Sequence, residues 1–263
     1  MLDIKMVGIN LANTDLESTA AKLSQGIARH PLIISATAPV VEAIALMSAG
    51  QASCSFTCEI DSKTEAMLDH GQSSCVLVVE DNRLVSIITE RDLVRLSITQ
   101  PNLADLLIAE VMISPVLSLE ITEFTNLFVP LEIFQRHHIR HLPLVDKQGA
   151  IVGLLTHASL RKLLRPIDLL HLRVASEVMT TNVVHTSRTA TVAEITELMT
   201  KHRVSSVVIV DTVEDGLIPV GIVTERDIVQ FSALELDFTT IQAQTVMSTP
   251  VFTATVYTQV GVK

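Results

Sequence analysis
The chain has 263 residues, with 19 Lys and Arg against 29 Asp and Glu, a formal net charge of −10 at pH 7. That balance, with seven Phe, one Tyr and no Trp, excludes a nucleic-acid binder, which needs clustered cations and rings to stack on bases. A hydrophobic content of 48% excludes general disorder and suits one or two domains of ordinary size.

The N-terminal stretch MLDIKMVGINLANTDLE carries Asp3, Asp15 and Glu17 and has no signal peptide's apolar run. It reads as a helical lead-in over 1–29. Beyond it the chain repeats itself. Ile87-Ile88-Thr89-Glu90-Arg91-Asp92-Leu93 returns as Ile222-Val223-Thr224-Glu225-Arg226-Asp227-Ile228, with a degenerate copy at Leu154-Leu155-Thr156-His157-Ala158-Ser159-Leu160. The three threonines are separated by 67 and 68 residues, and so are the methionines of Val111-Met112, Val178-Met179 and Val246-Met247.

Each unit opens on a short extended segment: Leu32-Ile33-Ile34, Val116-Leu117-Ser118-Leu119, then Val183-Val184. A helix follows, with Val40, Ile44 and Met47, and later Val192, Ile195 and Met199, on one face. Two strands come next. The first of them reads Cys75-Val76-Leu77-Val78-Val79, His141-Leu142-Pro143-Leu144-Val145 and Val207-Val208-Ile209-Val210, apolar runs that suit strands covered on both faces. The second runs into the Thr phrase, which opens another helix. The predicted unit is β-α-β-β-α, an α+β architecture. The units are assigned to 30–100 (with an insertion at about 50–72), 101–165 and 166–234. Residues 235–263 form a linker and the start of an incomplete fourth. The segment Phe238 to Val262 is too polar to span a bilayer, and the chain is expected in the cytoplasm.

Thr followed three residues later by Asp is the pattern of a capping box, and a helix start is its plain reading. In-register recurrence after a buried strand adds a second reading. Strand ends that meet helix beginnings present amides and a positive dipole end to a phosphate. Cys54, Cys58 and Cys75 with His70 lack a second ligand pair and read as small buried thiols, so no metal site is assigned. Ser159-Leu160-Arg161-Lys162 resembles an acylating S-x-x-K motif but sits in the T-x-x-D register. No catalytic residue is assigned. The methionines at 112, 179 and 247 are expected in the core.

Val111-Met112-Ile113-Ser114-Pro115-Val116, His141-Leu142-Pro143-Leu144-Val145-Asp146 and Val220-Gly221-Ile222-Val223-Thr224-Glu225-Arg226-Asp227 resemble CBS domains, the cystathionine-β-synthase-type repeats. The resemblance covers nearly all of residues 30 to 260. It implies tandem repeats paired through their sheets about a pseudo-twofold axis (a Bateman module). It also implies clefts for AMP, ADP, ATP or S-adenosylmethionine, with no cofactor required. The TERD phrases and the inserted first unit are similar to the N-terminal sensory regions of bacterial multidomain signalling proteins, which implies a downstream output domain. In that family Asp holds the ribose and Thr lies near the phosphate. Carried over, Thr89 with Asp92 and Thr224 with Asp227 are candidate ligand residues. Thr156 belongs to a weak or empty copy, because Ser159 replaces Asp. Arg140 and His141 stand where relatives place phosphate-reaching basic groups; with Arg136, His137 and His138 they also suit a solvated helix end. Ser86, where the other units have Gly153 and Gly221, is expected to narrow the first cleft. A ligand-sensing regulatory module is one reading, and a structural dimerisation module with vestigial clefts is the other. An unpaired third unit implies a homodimer or larger.

Overall fold
The structure is a computed structural model and describes residues 26–52, 74–100, 102–164, 175–214, 216–255 and 257. Most of the N-terminal lead-in, nearly all of the insertion, Cys54, Cys58 and His70 lie outside these residues.

Unit one runs β1 (Ile33–Ser35), α1 (Val40–Ala52), β2 (Cys75–Glu80), β3 (Arg83–Thr89) and α2 (Glu90–Thr99). After α3 (Ile108–Val111), unit two runs β4 (Leu119–Glu120), α4 (Phe128–His137), β5 (His141–Val145), β6 (Ile151–Thr156) and α5 (His157–Leu164). After α6 (Ala175–Val178), unit three runs β7 (His185–Ser187), α7 (Val192–His202), β8 (Ser206–Val213), β9 (Gly216–Thr224) and α8 (Glu225–Ala233); α9 (Ala243–Val246) follows. Each unit builds a three-stranded sheet in which the first strand is parallel to the second and the second antiparallel to the third. The α+β repeat read from the apolar pattern is the observed fold.

The opening strands lie later than their apolar residues suggest, and that of unit two is also shorter. In unit two only Leu119 and Glu120 pair, with Leu144 and Val145. In unit three pairing starts at His185, although the Val184 carbonyl accepts from Val208 N at 3.0 Å. The hairpins carry a further repeat that periodicity did not reveal. A register shift falls at Val78/Val79, Leu144/Val145 and Ile209/Val210, the same place in all three sheets. Such bulges bend a strand and re-aim its side chains. Here each falls beside the partner of Ser86, Gly153 or Gly221.

Strand alternation divides the core. Leu155 points into unit two's own cluster with Leu142, Leu144 and Phe134, while Leu154 points the other way, against Cys75 and Leu77 of unit one. Units one and two therefore meet sheet to sheet, as the family resemblance implied. They also exchange lead-ins. Ala28 and Leu154 trade backbone hydrogen bonds of 2.9 Å, and the Ser86 hydroxyl donates to the Ile113 carbonyl at 2.8 Å. Unit three docks differently, helix against helix on unit one. Val229 of α8 is buried in the unit-one core and Val94 of α2 in the unit-three core.

The two glycines are places of close approach by protein. A Cβ at Gly153 would stand 2.4 Å from Ile27 Cγ2 and 2.9 Å from the Ala28 carbonyl oxygen. At Gly221 its three nearest neighbours would all be atoms of the Met247 side chain, with Sδ at 2.3 Å. Gly153→Ala is expected to lose about 1–3 kcal/mol, because the Ala28 backbone cannot yield without breaking its pairing with Leu154. Gly221→Ala is expected to lose less, since a methionine can change rotamer. Urea unfolding of the two variants measures the difference.

Met112 and Met247 pack partly buried against the cores of units one and three. Met179 does not join a core: it is 45% exposed, and Val183 beside it is 51% exposed.

Candidate functional site
Each Thr of the repeated phrase ends a strand and caps a helix. Thr89 N and Oγ1 donate to Asp92 Oδ2 at 3.0 and 2.7 Å, and Asp92 N donates back to Thr89 Oγ1 at 3.4 Å. Thr224 and Asp227 repeat this at 2.8, 2.8 and 3.3 Å. In unit two Ser159 substitutes for Asp: Thr156 N donates to Ser159 Oγ and Ser159 N to Thr156 Oγ1, both at 3.0 Å. The cap survives the change, and the carboxylate does not. A comparable box, Thr191 with Glu194, starts α7. The box by itself thus marks a helix start, contributing about 1 kcal/mol.

A second tie fixes each start. Glu90 N, His157 N and Glu225 N donate to the carbonyls of Ser74, Arg140 and Ser205 at 3.1, 3.0 and 2.9 Å. Two amides at each helix beginning are therefore satisfied within the protein. The amide-rich phosphate cradle expected from sequence is partly filled by the chain itself. The carboxylates keep one oxygen apart. Both hydrogen bonds to Asp227 fall on Oδ2, whereas Asp92 Oδ1 lies 3.8 Å from Arg95 Nη2.

His137 and His138 are exposed at the end of α4, as a solvated helix end requires. His141 behaves otherwise. Its Nε2 lies 2.6 Å from the Ser74 hydroxyl of unit one. Burial, then the charge of Arg140, lowers its pKa to about 4 against the opposing pull of Asp92, so the ring is neutral at pH 7.

Arg140 leaves its own unit. Its Nη2 lies 3.5 Å from Glu225 Oε2, while Arg91 Nε of unit one donates to Glu225 Oε1 at 3.0 Å. Across the same interface Arg226 Nε lies 3.5 Å from Glu90 Oε1. Burial raises the Glu90 carboxyl, and Arg226 partly offsets it. The middle residues of the two T-E-R-D phrases thus grip each other reciprocally, Glu to Arg and Arg to Glu. Unit two, with His157 and Ala158 at those places, has no such grip; His157 instead lies edge-on to Phe134 at 5.9 Å. Sequence reasoning weighed only the outer residues of the phrase and missed Glu90, Arg91, Glu225 and Arg226. The available signal was that Glu-Arg recurs in units one and three and is lost in unit two.

Several candidates meet at one junction: His141 contacts Ser74 of unit one and stands opposite Thr156 in its own hairpin, and Arg140 reaches Glu225 of unit three. Thr89 and Asp92 come from unit one, Arg140, His141 and Thr156 from unit two, and Thr224 and Asp227 lie beside Glu225 of unit three. The guanidinium side chains of Arg91 and Arg140 remain about half exposed there, at 49% and 51%. A separate hollow of about 490 Å³, lined by Thr186, Ser187, Glu194, Lys201 and neighbours, contains none of these residues. Among the described residues no group of three or more His, Cys, Asp or Glu is arranged to hold a metal ion.

Three tandem α+β units, paired through sheets and helices around repeated strand-to-helix caps, define a repeat module. The CBS domain model matches residues 64–98, 108–166 and 175–234, more than half of the chain. The chain belongs to the CBS-domain family. It is similar in fold to protein MJ1225 of Methanocaldococcus jannaschii, proposed as an archaeal homologue of γ-AMPK. The TM-score is 0.66 at 16% identity, over 88% of this chain and 83% of that one. In sequence it is 34% identical over 110 residues to the L-aspartate semialdehyde sulfurtransferase of the same organism, 41% of this chain and 20% of that protein. It is 38% identical over 91 residues to protein MK0525 of Methanopyrus kandleri, 34% of this chain and 45% of that protein. The match thus spans less than half the length of either of these relatives.

Proposed function
We propose that the chain is a regulatory module that senses an adenosine nucleotide or a related adenosyl compound and passes its state to an output domain or partner. The observation that carries this reading is the Thr–Asp pair, present in the same geometry in units one and three of a CBS-family chain. It lies beside half-exposed arginines at a junction of three units. Both bonds from Thr224 fall on Asp227 Oδ2, so Oδ1 is the oxygen that would accept from ribose hydroxyls. The Thr224 hydroxyl already donates to Asp227, so a phosphate would gain its proton only by exchanging one hydrogen bond for another. Thr89 with Asp92 forms the second site, Arg140 and His141 serve the phosphate end, and Thr156 belongs to the weakest copy.

Calorimetric titration with AMP, ADP, ATP, S-adenosylmethionine and cyclic dinucleotides tests this. Absence of heat and of thermal shift with all of them rejects it. Asp227→Ala is expected to weaken binding by about ten- to a hundredfold, the worth of a charged hydrogen bond, and to lose about 1 kcal/mol of stability through the cap. Unchanged affinity would remove the ribose role.

A second reading, a structural interaction module without a ligand, is favoured by the self-satisfied caps and the protein-filled glycine positions. Mass spectrometry of the purified protein separates the two: a retained nucleotide favours sensing. In either reading we propose a cytoplasmic, non-enzymatic homo-oligomer. Cys75, Leu77 and Leu154 are at most 1% exposed where units one and two pair, whereas Val213, Leu217 and Ile218 of the unit-three hairpin are 40–50% exposed. A second copy covering that hairpin would bury them. Monomeric light scattering at micromolar concentration would contradict it. Among the described residues no helix is long and apolar enough to cross a membrane.

A further inference from the structure
Among the described residues Glu225 is the one buried charged residue, at 5% exposure. It belongs to unit three, yet its two oxygens face arginines of the other two units, Arg91 at 3.0 Å and Arg140 at 3.5 Å. A buried carboxylate stripped of all partners is strongly unfavourable, but one that keeps its shorter partner stays neutralised. Arg140 is therefore the partner that can leave. It is also the cation assigned above to a ligand phosphate, and it cannot fully serve two anions at once.

We infer that Glu225 is a resident anion that competes with the phosphate of a bound nucleotide for Arg140, so that occupancy between units one and two loosens the hold on unit three. The inference rests on the nucleotide reading and adds its means of transmission. Phosphate binding moves Arg140 off Oε2, Glu225 falls back on Arg91, and the start of α8 loses the tie to unit two that Arg140 supplies. Linkage makes the effect reciprocal: whatever strengthens the Glu225–Arg140 contact weakens phosphate binding by the same factor.

The test is a double-mutant cycle on the full chain with Glu225→Gln, Arg140→Gln and both, titrated with ATP and with sodium pyrophosphate, alongside amide exchange at Glu225 and Asp227. Glu225→Gln is expected to tighten ATP binding roughly five- to tenfold when Arg140 is present and to change nothing in the Arg140→Gln background. ATP is expected to speed exchange at the two amides in the wild type. An equal effect of Glu225→Gln in both backgrounds, or no effect while ATP binds, overturns the competition. If neither probe binds the wild type, the nucleotide reading fails with its transmission. The ligand-free comparison still decides the resident contact. Faster exchange at Glu225 in Arg140→Gln than in wild type upholds it, and identical exchange refutes it.

Discussion

Leu154→Ala is expected to cost about 2–5 kcal/mol and to part units one and two. Leu154 is 1% exposed and lies between the two sheets with Cys75 and Leu77, while its backbone pairs both ways with Ala28. Truncation removes apolar burial from the pairing surface itself and leaves a cavity there. Leu155 on the opposite face remains in the unit-two core, so the unit should keep its own hairpin. Chemical unfolding with amide exchange reads both effects: lowered stability, and protection lost at Ala28 and Leu154 before it is lost at Leu142 and Leu144. Val152→Ala, two residues away and 38% exposed, serves as the control, with a change within about 0.5 kcal/mol. Equal losses from the two substitutions would show that the sheet contact is not what holds the pair.

Acidification from pH 6.5 to 4 is expected to remove up to about 3 kcal/mol through His141 alone. Its pKa is about 4 in the folded chain against 6.5 when free, so in that window the unfolded chain binds more protons and stability rises with pH. The contribution is complete above pH 6.5 and is lost as the pH falls towards 4. The groups that act on the ring are Arg140, which deepens the shift, and Asp92, which opposes it; Ser74 holds Nε2. Glu90 has the contrary sign. Its carboxyl is raised by burial, so its ionised form weakens the fold at neutral pH and its protonation recovers part of the loss. His141→Gln, which keeps a polar partner for Ser74, should flatten the profile between pH 4 and 6.5. A parallel profile in wild type and variant would place the titrating group elsewhere.

Both predictions concern contacts between units, and that is where sequence and structure part company. The period of 67 and 68 residues, the apolar strands and the Thr phrases made the unit legible, because a hairpin, a cap and a helical face depend on residues close together in the chain. The pairing of units one and two came from the family resemblance. The docking of unit three on unit one had no local signature. It depends on Val94 entering one core and Val229 the other, and on Glu and Arg residues that face each other only once two complete units meet.

The candidate site divides the same way. Thr89, Asp92, Thr224 and Asp227 were legible because their spacing places them in one helical turn. That Asp227 keeps both its bonds on one oxygen, that Arg140 crosses to Glu225 and that His141 is held neutral depend on distances across the junction. The exposure of Met179 was hidden for a related reason: whether an apolar residue is covered depends on what stands opposite it. The sequence by itself determined three copies of a β-α-β-β-α unit and the caps that start their last helices, since hydrophobic period and capping act over a few residues. Only the tertiary structure decided which faces meet, which charges pair and which carboxylate is buried. Those outcomes depend on complementarity between surfaces that the chain brings together from different units, 67 residues apart for Ser74 and His141 and 134 for Arg91 and Glu225.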